Sequence, residues 1–197
     1  HDLQEPLRKI QTFISRINEK EKENLSDFGK EYLARVEKAS NRMRVLINDL
    51  LQYSRSNRTE KIFEKIDLNE QLNNSLLELS QSIEDKKAII NYNKLPEING
   101  VSFQMQQLFT NIISNSIKYA KQDIAPIIDI NCTETIAKNE SKLKDNSAKK
   151  YYKIEFTDNG IGFDQENAEK IFLLFNRLHG KTEYQGTGVG LAICKKI

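Results

Sequence analysis

Residues 151–197 read YYKIEFTDNGIGFDQENAEKIFLLFNRLHGKTEYQGTGVGLAICKKI. Around Ile154 and Phe156 apolar and polar side chains alternate, the period of a half-buried strand, and Asp158-Asn159-Gly160 ends it with turn residues. Asp158 is thereby expected at a strand end, facing a cleft. An ionised carboxylate only accepts hydrogen bonds, which suits it to an exocyclic amine such as that of adenine. Gly160 and Gly162 are expected to allow positive φ and to let a flat ligand approach the backbone closely. A helix should come next, then a polar lid, then Gly186-Thr187-Gly188-Val189-Gly190-Leu191, which opens a second helix whose free N–H groups and positive dipole end favour phosphate. Taken singly, a DNG turn is an ordinary connection and a short G-x-G-x-G run is backbone punctuation. Neither G-x-x-x-x-G-K-[ST] nor G-x-G-x-x-G is present, so P-loop and Rossmann readings have no support. Order and spacing together describe a nucleotide site.

An upstream stretch strengthens this. Residues 107–119, QLFTNIISNSIKY, place Leu108, Phe109, Ile112, Ile113 and Ile117 at helical spacing, the expected buried stripe. Asn111, Asn115 and Lys118 stand at i, i+4 and i+7 and share a second face. An amide oxygen is a hard ligand for Mg²⁺, which keeps several waters and leans on substrate phosphates; Lys118 adds positive charge for the same phosphates. The plainer alternative is an amphipathic helix with a merely solvated polar face. Two Asn residues one turn apart in a helix nevertheless call for a reason, because Asn is a poor helix former.

The segments N-x-x-x-N-x-x-K-Y, D-N-G-I-G, I-F-x-x-F-x-R and G-T-G-V-G-L resemble, in order, the asparagine, first glycine, phenylalanine and second glycine boxes of the histidine-kinase ATP-binding domain. The first ten residues, HDLQEPLRKI, resemble the box that carries that family's phosphoacceptor histidine, in the variant found in many hybrid and phytochrome-like kinases.

Composition is compatible with this. The chain has 197 residues, 38% hydrophobic and 29% charged, as expected of a globular chain of one large or two small domains with much exposed helix. Its net charge of +2, from 30 basic and 28 acidic residues, gives no footprint for nucleic acid or a membrane surface. No apolar run is long enough to span a bilayer, and no signal peptide is evident. Cys132 and Cys194 are too few and too unpatterned for a disulfide framework or zinc site, which agrees with a reducing cytoplasm.

Residues 1–58 read as a helical hairpin. Leu3, Leu7, Ile10, Ile14 and Ile17 form a heptad seam, matched by Leu33, Val36, Ser40, Met43, Ile47, Leu50 and Ser54. The charged residues 19–23 end the first helix or begin the connection, and Ser26-Asp27 suits a cap for the second. Two helices alone bury two apolar stripes poorly; a homodimeric four-helix bundle solves that problem. At about 100° per residue His1 points roughly 140° from the mean apolar direction, so it is exposed. Asp2 can accept from one ring nitrogen and leave the other free to attack, and Pro6 loosens the helix just beyond. Glu5 stands where many members of the family carry Thr or Asn, so the resemblance does not extend to phosphatase activity.

The polar residues 55–60 are read as the connection to a second domain, 61–197, with a hinge that brings ATP to His1 and withdraws it. Residues 61–66 alternate like a strand. Asp67 with Glu70 resembles a capping box, and Leu68, Leu72, Leu76, Leu79 and Ile83 continue one helix. Strands are expected at 88–92, 95–100 and 124–136, and residues 137–150 read as a solvated hairpin loop. The fold class is thus a helical hairpin followed by an α+β two-layer sandwich, which the resemblance identifies with the Bergerat ATP-binding type.

The resemblance further implies that Asp158 binds the adenine amine, Asn115 holds Mg²⁺, Asn111 and Lys118 attend the phosphates, Tyr119 lies against the adenine ring and Arg177 reaches the γ-phosphate from the lid. His179 is placed on the lid surface without a catalytic role. A further pair of strands normally completes the domain in the family, and the first helix usually extends before the histidine; the expectation is therefore of a core truncated at both ends. The activity implied is ATP-dependent autophosphorylation of His1, oriented by Asp2, and transfer to a response-regulator aspartate. Two rivals stand beside it: a clamp ATPase of the wider group, and a non-catalytic ATP-binding dimerisation module. The first wants a glutamate base near Asn111, where Gln107 stands; the second predicts a broken motif, and all four ATP boxes are intact.

Overall fold

The computed structural model describes residues 4–58, 62–136, 149–176 and 187–197, of which 52–58 by their backbone alone. His1, Asp2, Leu3, Arg177, His179, Gly186 and the loop 137–148 therefore lie outside the described residues.

Helices α1 (Gln4–Lys20) and α2 (Asp27–Arg58) form the hairpin, joined by a 3₁₀ turn at Lys22–Asn24. The Ser26 hydroxyl accepts from Gly29 N–H at 3.1 Å and caps α2. Antiparallel register is marked by polar pairs between the helices: Gln4 to Asn48, Gln11 to Asn41 and Asn18 to Glu37. Among the described residues of the seam only Leu7, Ile14 and Ser40 are buried, whereas Ile10, Ile17, Val36, Met43 and Leu50 remain exposed. Helix α2 continues through Arg58, so residues 55–58 are helical rather than an open connection.

The second unit holds two small sheets. Strands β1 (Glu64–Asp67) and β3 (Glu97–Gly100) pair antiparallel. Strand β2 (Ile89–Tyr92) runs parallel to β4 (Ile127–Ile136), which pairs antiparallel with β5 (Lys150–Asp158), making the larger sheet mixed. Against its inner face lie α3 (Leu68–Glu78) and α5 (Ser102–Lys118). Leu68 and Leu72 of α3, Phe109, Ile113 and Ile117 of α5, and Ile128 and Ile130 of β4 form the core with Ile66 and Leu95. The Phe109 and Phe156 rings meet at 5.9 Å between centroids. Burying such side chains contributes about 1.5–3 kcal/mol each.

Several elements differ from expectation for local reasons. Strand β1 begins at Glu64, leaving Ile62 and Phe63 exposed. Asp67 caps α3 by accepting from Asn69 N–H at 2.8 Å, and it is the Asn69 amide, not the Glu70 carboxylate, that completes the cap. That amide also bonds both backbone groups of Leu95. The long helix after Asp67 breaks at Leu79, and α4 (Ser80–Lys86) ends with Lys87 in the left-handed region. On α5 the stripe is narrower than its sequence suggests: Leu108 and Ile112 are only half-buried and line a second, apolar groove with Phe172 and Cys194. The helix expected after the DNG turn is replaced by two 3₁₀ turns, Gln165–Asn167 and Lys170–Phe172. Competing bonds win there: Phe175 N–H donates to the distant Gly188 carbonyl, and the Asn176 amide bonds locally to the Lys170 carbonyl.

Candidate nucleotide-binding site

Strand phase places the key carboxylate. Ile154, Phe156 and Asp158 oppose Cys132, Ile130 and Ile128 in the antiparallel ladder, so all three face the helices. Asp158 occupies the next inward position after the core ends, and its side chain meets α5 instead of water alone. One carboxylate oxygen accepts from the Ser116 hydroxyl at 3.0 Å and the other from Gly160 N–H at 2.9 Å. Each oxygen keeps a lone pair for a ligand amine.

The two glycines of this turn do different jobs. Gly162 has φ of 66°, as expected. Gly160 does not have positive φ among the described residues. It is instead packed so tightly that a Cβ would lie 2.7 Å from the Tyr119 carbonyl oxygen and 2.8 Å from Asp158 Oδ1. Ile161 N–H donates to that same Tyr119 carbonyl, fastening the turn to the end of α5.

A cleft of about 660 Å³ opens beside Asp158. It is lined by Asn111, Asn115, Lys118, Tyr119, Gly162, Thr187, Gly188, Gly190 and Leu191, so the structure brings together most of the residues that the sequence marks. Their engagements vary. The Asn111 amide donates to the Gly190 carbonyl at 3.3 Å and ties α5 to α6 (Gly190–Lys196). Lys118 Nζ sits 3.0 Å from the Tyr119 hydroxyl and 4.4 Å from its ring centroid. Asn115 also lines the cleft, and among the described residues its side-chain amide has no hydrogen-bond partner. Gly188, at φ of 74°, approaches the Asn176 carbonyl so closely that a Cβ would stand 2.9 Å away.

Several lining residues are not marked as site residues in the sequence, Ser116, Cys194, Val45 and Asp49 among them. Ser116 is hidden by its polar type on a helix whose neighbours suggest solvent. Its signal is its position seven residues after Phe109, on the inner side of α5. Cys194 lies at the cleft wall, where burial pushes its thiol up to about 11, so it stays protonated. Val45 and Asp49 come from α2 of the hairpin, and no local pattern announces them.

Two family models match the chain. Residues 1–59 match the His Kinase A (phospho-acceptor) domain, and residues 100–197 match the histidine kinase-, DNA gyrase B- and HSP90-like ATPase. The chain belongs to the histidine kinases. Among curated relatives it is 34% identical, over its whole length, to cyanobacterial phytochrome A of Nostoc sp., of which it covers 24%. It is 31% identical to the uncharacterized sensor-like histidine kinase ycf26 of Pyropia yezoensis, covering 31% of it. The histidine kinase chain thus spans about a quarter to a third of these relatives. Among solved structures, full-length ShkA in complex with AMPPNP aligns over 100% of this chain and 38% of its own, at TM-score 0.67 and 18% identity. Acinetobacter baumannii histidine kinase AdeS aligns over 96% of this chain and 82% of its own, at TM-score 0.57 and 14% identity. At such identities the two structures speak to the histidine kinase fold alone.

Proposed function

We propose that this chain is the core of an ATP-dependent protein-histidine kinase: a 1–58 hairpin for dimerisation and phosphoacceptance, and a 61–197 catalytic unit that delivers ATP to it. The observation that carries the reading is Asp158, an inward carboxylate at the end of β5, fixed by Ser116 and Gly160 beside a cleft lined by Asn111, Asn115 and Lys118. Asp158 accepts from the adenine amine, and Tyr119 supports the ring. Asn111, Lys118 and the glycine-rich residues 186–191 attend the phosphates, and Arg177 adds positive charge at the γ-phosphate. The His1 imidazole, oriented by Asp2, attacks the γ-phosphorus in line; a nitrogen–phosphorus bond forms, the bond to the bridging oxygen breaks, and ADP leaves. Positioning and charge neutralisation account for most of such a rate.

The donor set fits a magnesium ion. The Asn115 amide oxygen would offer one hard ligand, the remainder being left to phosphate and water. When bound, it would neutralise charge on the transferred phosphoryl group. The phosphoryl group then passes to an aspartate of a response-regulator receiver domain. A second copy of the chain covers the exposed stripe of Ile10, Ile17, Val36 and Met43. Among the described residues no helix is long and apolar enough to cross a membrane, and the free thiols of Cys132 and Cys194 suit a reducing cytoplasm.

The test is equilibrium titration with ATP and GTP. The wild-type chain should prefer ATP, and Asp158→Asn, which turns an acceptor into a donor at one atom, should lose that preference. Equal affinity of the two chains for ATP would sink the reading.

A further inference from the structure

The cleft is walled by both parts of the chain. Val45 and Asp49, one turn apart on α2, line it together with Asn115, Lys118, Thr187 and Gly188. The Thr187 hydroxyl donates to Asp49 Oδ2, a contact between residues 138 positions apart. Thr187 belongs to the glycine loop, whose shape is held by Gly188 in the left-handed region and by the bond from Phe175 N–H to the Gly188 carbonyl. The Asp49 carboxylate is partly withdrawn from water, and burial outweighs the Thr187 bond in raising its pKa. Among the described residues it has no salt-bridge partner, and Lys118, which also lines the cleft, is engaged with Tyr119. A single hydroxyl thus incompletely offsets the cost of a charge at this place.

The chemistry of that hydroxyl makes the contact exclusive. A threonine in a glycine loop has one proton to donate, and a phosphate oxygen and a carboxylate oxygen are both charged acceptors for it. They cannot both take it. The carboxylate also repels any polyanion that shares the cleft.

We propose that Asp49 is a positioning residue of the nucleotide site, contributed by the hairpin, that competes with the nucleotide's phosphates for Thr187. Phosphate binding and the α2 contact then exclude one another. By reciprocity, nucleotide releases α2 from the glycine loop, and whatever draws α2 away tightens nucleotide binding. The inference rests on the ATP-site reading and adds to it a coupling between site and hairpin.

The experiment titrates the whole chain with ATP and with adenosine, which lacks phosphates, for wild type, Asp49→Asn, Asp49→Ala and Thr187→Val. Both Asp49 variants should bind ATP more tightly, roughly three- to ten-fold, the worth of one hydrogen bond exchanged, and adenosine as wild type does. On the Thr187→Val background, Asp49→Ala should gain less than it does alone. A shift of equal size for ATP and adenosine would mean a general structural effect and overturn the proposal. So would unchanged ATP affinity, or weaker ATP binding in Asp49→Asn, which would make Asp49 a support of the ion. A wild-type chain with no ATP affinity would overturn the ATP-site reading and this inference together; wild-type binding with indifferent Asp49 variants would overturn the inference only.

Discussion

Asp158 is poised by its neighbours before any ligand contributes. Ser116, buried on α5, and the N–H of Gly160 hold its two oxygens, so the carboxylate plane cannot swing away from the cleft. A pre-oriented acceptor loses less entropy on binding than one that must be ordered. Ser116→Ala should therefore keep the fold, since the change removes one oxygen, and weaken ATP binding by about three- to ten-fold, the range of a single net hydrogen bond. Calorimetric titration with ATP, with circular dichroism to confirm the fold, checks this; wild-type affinity in the variant would show that Gly160 alone suffices. Asp158 itself was legible because strand alternation and a DNG turn are local signals. Ser116 was not, since its role depends on which way α5 is rotated against β5.

The elements owe their ends to side-chain chemistry that can be titrated. Asp67 starts α3 by accepting from Asn69, and these bonds hold its carboxyl below the usual carboxylate range. A depressed folded pKa means that the unfolded chain takes up the proton first as pH falls. The cap's stabilisation is therefore complete above the ordinary aspartate pKa, about 3.9, and disappears as pH drops through the lower folded value. Thermal melts from pH 7 to pH 2 should show Asp67→Ala less stable than wild type at neutral pH, with the two curves converging in acid. Parallel curves would contradict that assignment. The helix starts were readable because caps are short-range. The segment after Gly162 was not: its apolar residues resemble a helix, but Phe175 and Asn176 spend their bonds on Gly188 and Lys170.

At the scale of the whole molecule, the hairpin buries too little of itself to stand alone. Ile10 and Met43 are 45% and 51% exposed, on the seam that should face inward. The proposed second copy would supply the missing surface, in keeping with the heptad spacing. Wild type should sediment as twice 22.8 kDa, and Ile10→Glu with Met43→Glu as a monomer that still binds ATP, because among the described residues the cleft draws only Val45 and Asp49 from α2. A wild-type monomer would refute the bundle. That α2 reaches the cleft at all was beyond the sequence, since a contact between residues 138 positions apart leaves no local period. Cleft and hairpin meet in one proposed reaction. Incubation with γ-labelled ATP and Mg²⁺ should place acid-labile, base-stable phosphate on the wild-type chain and none on His1→Gln or Asn115→Ala. Label that persists in His1→Gln would contradict the account.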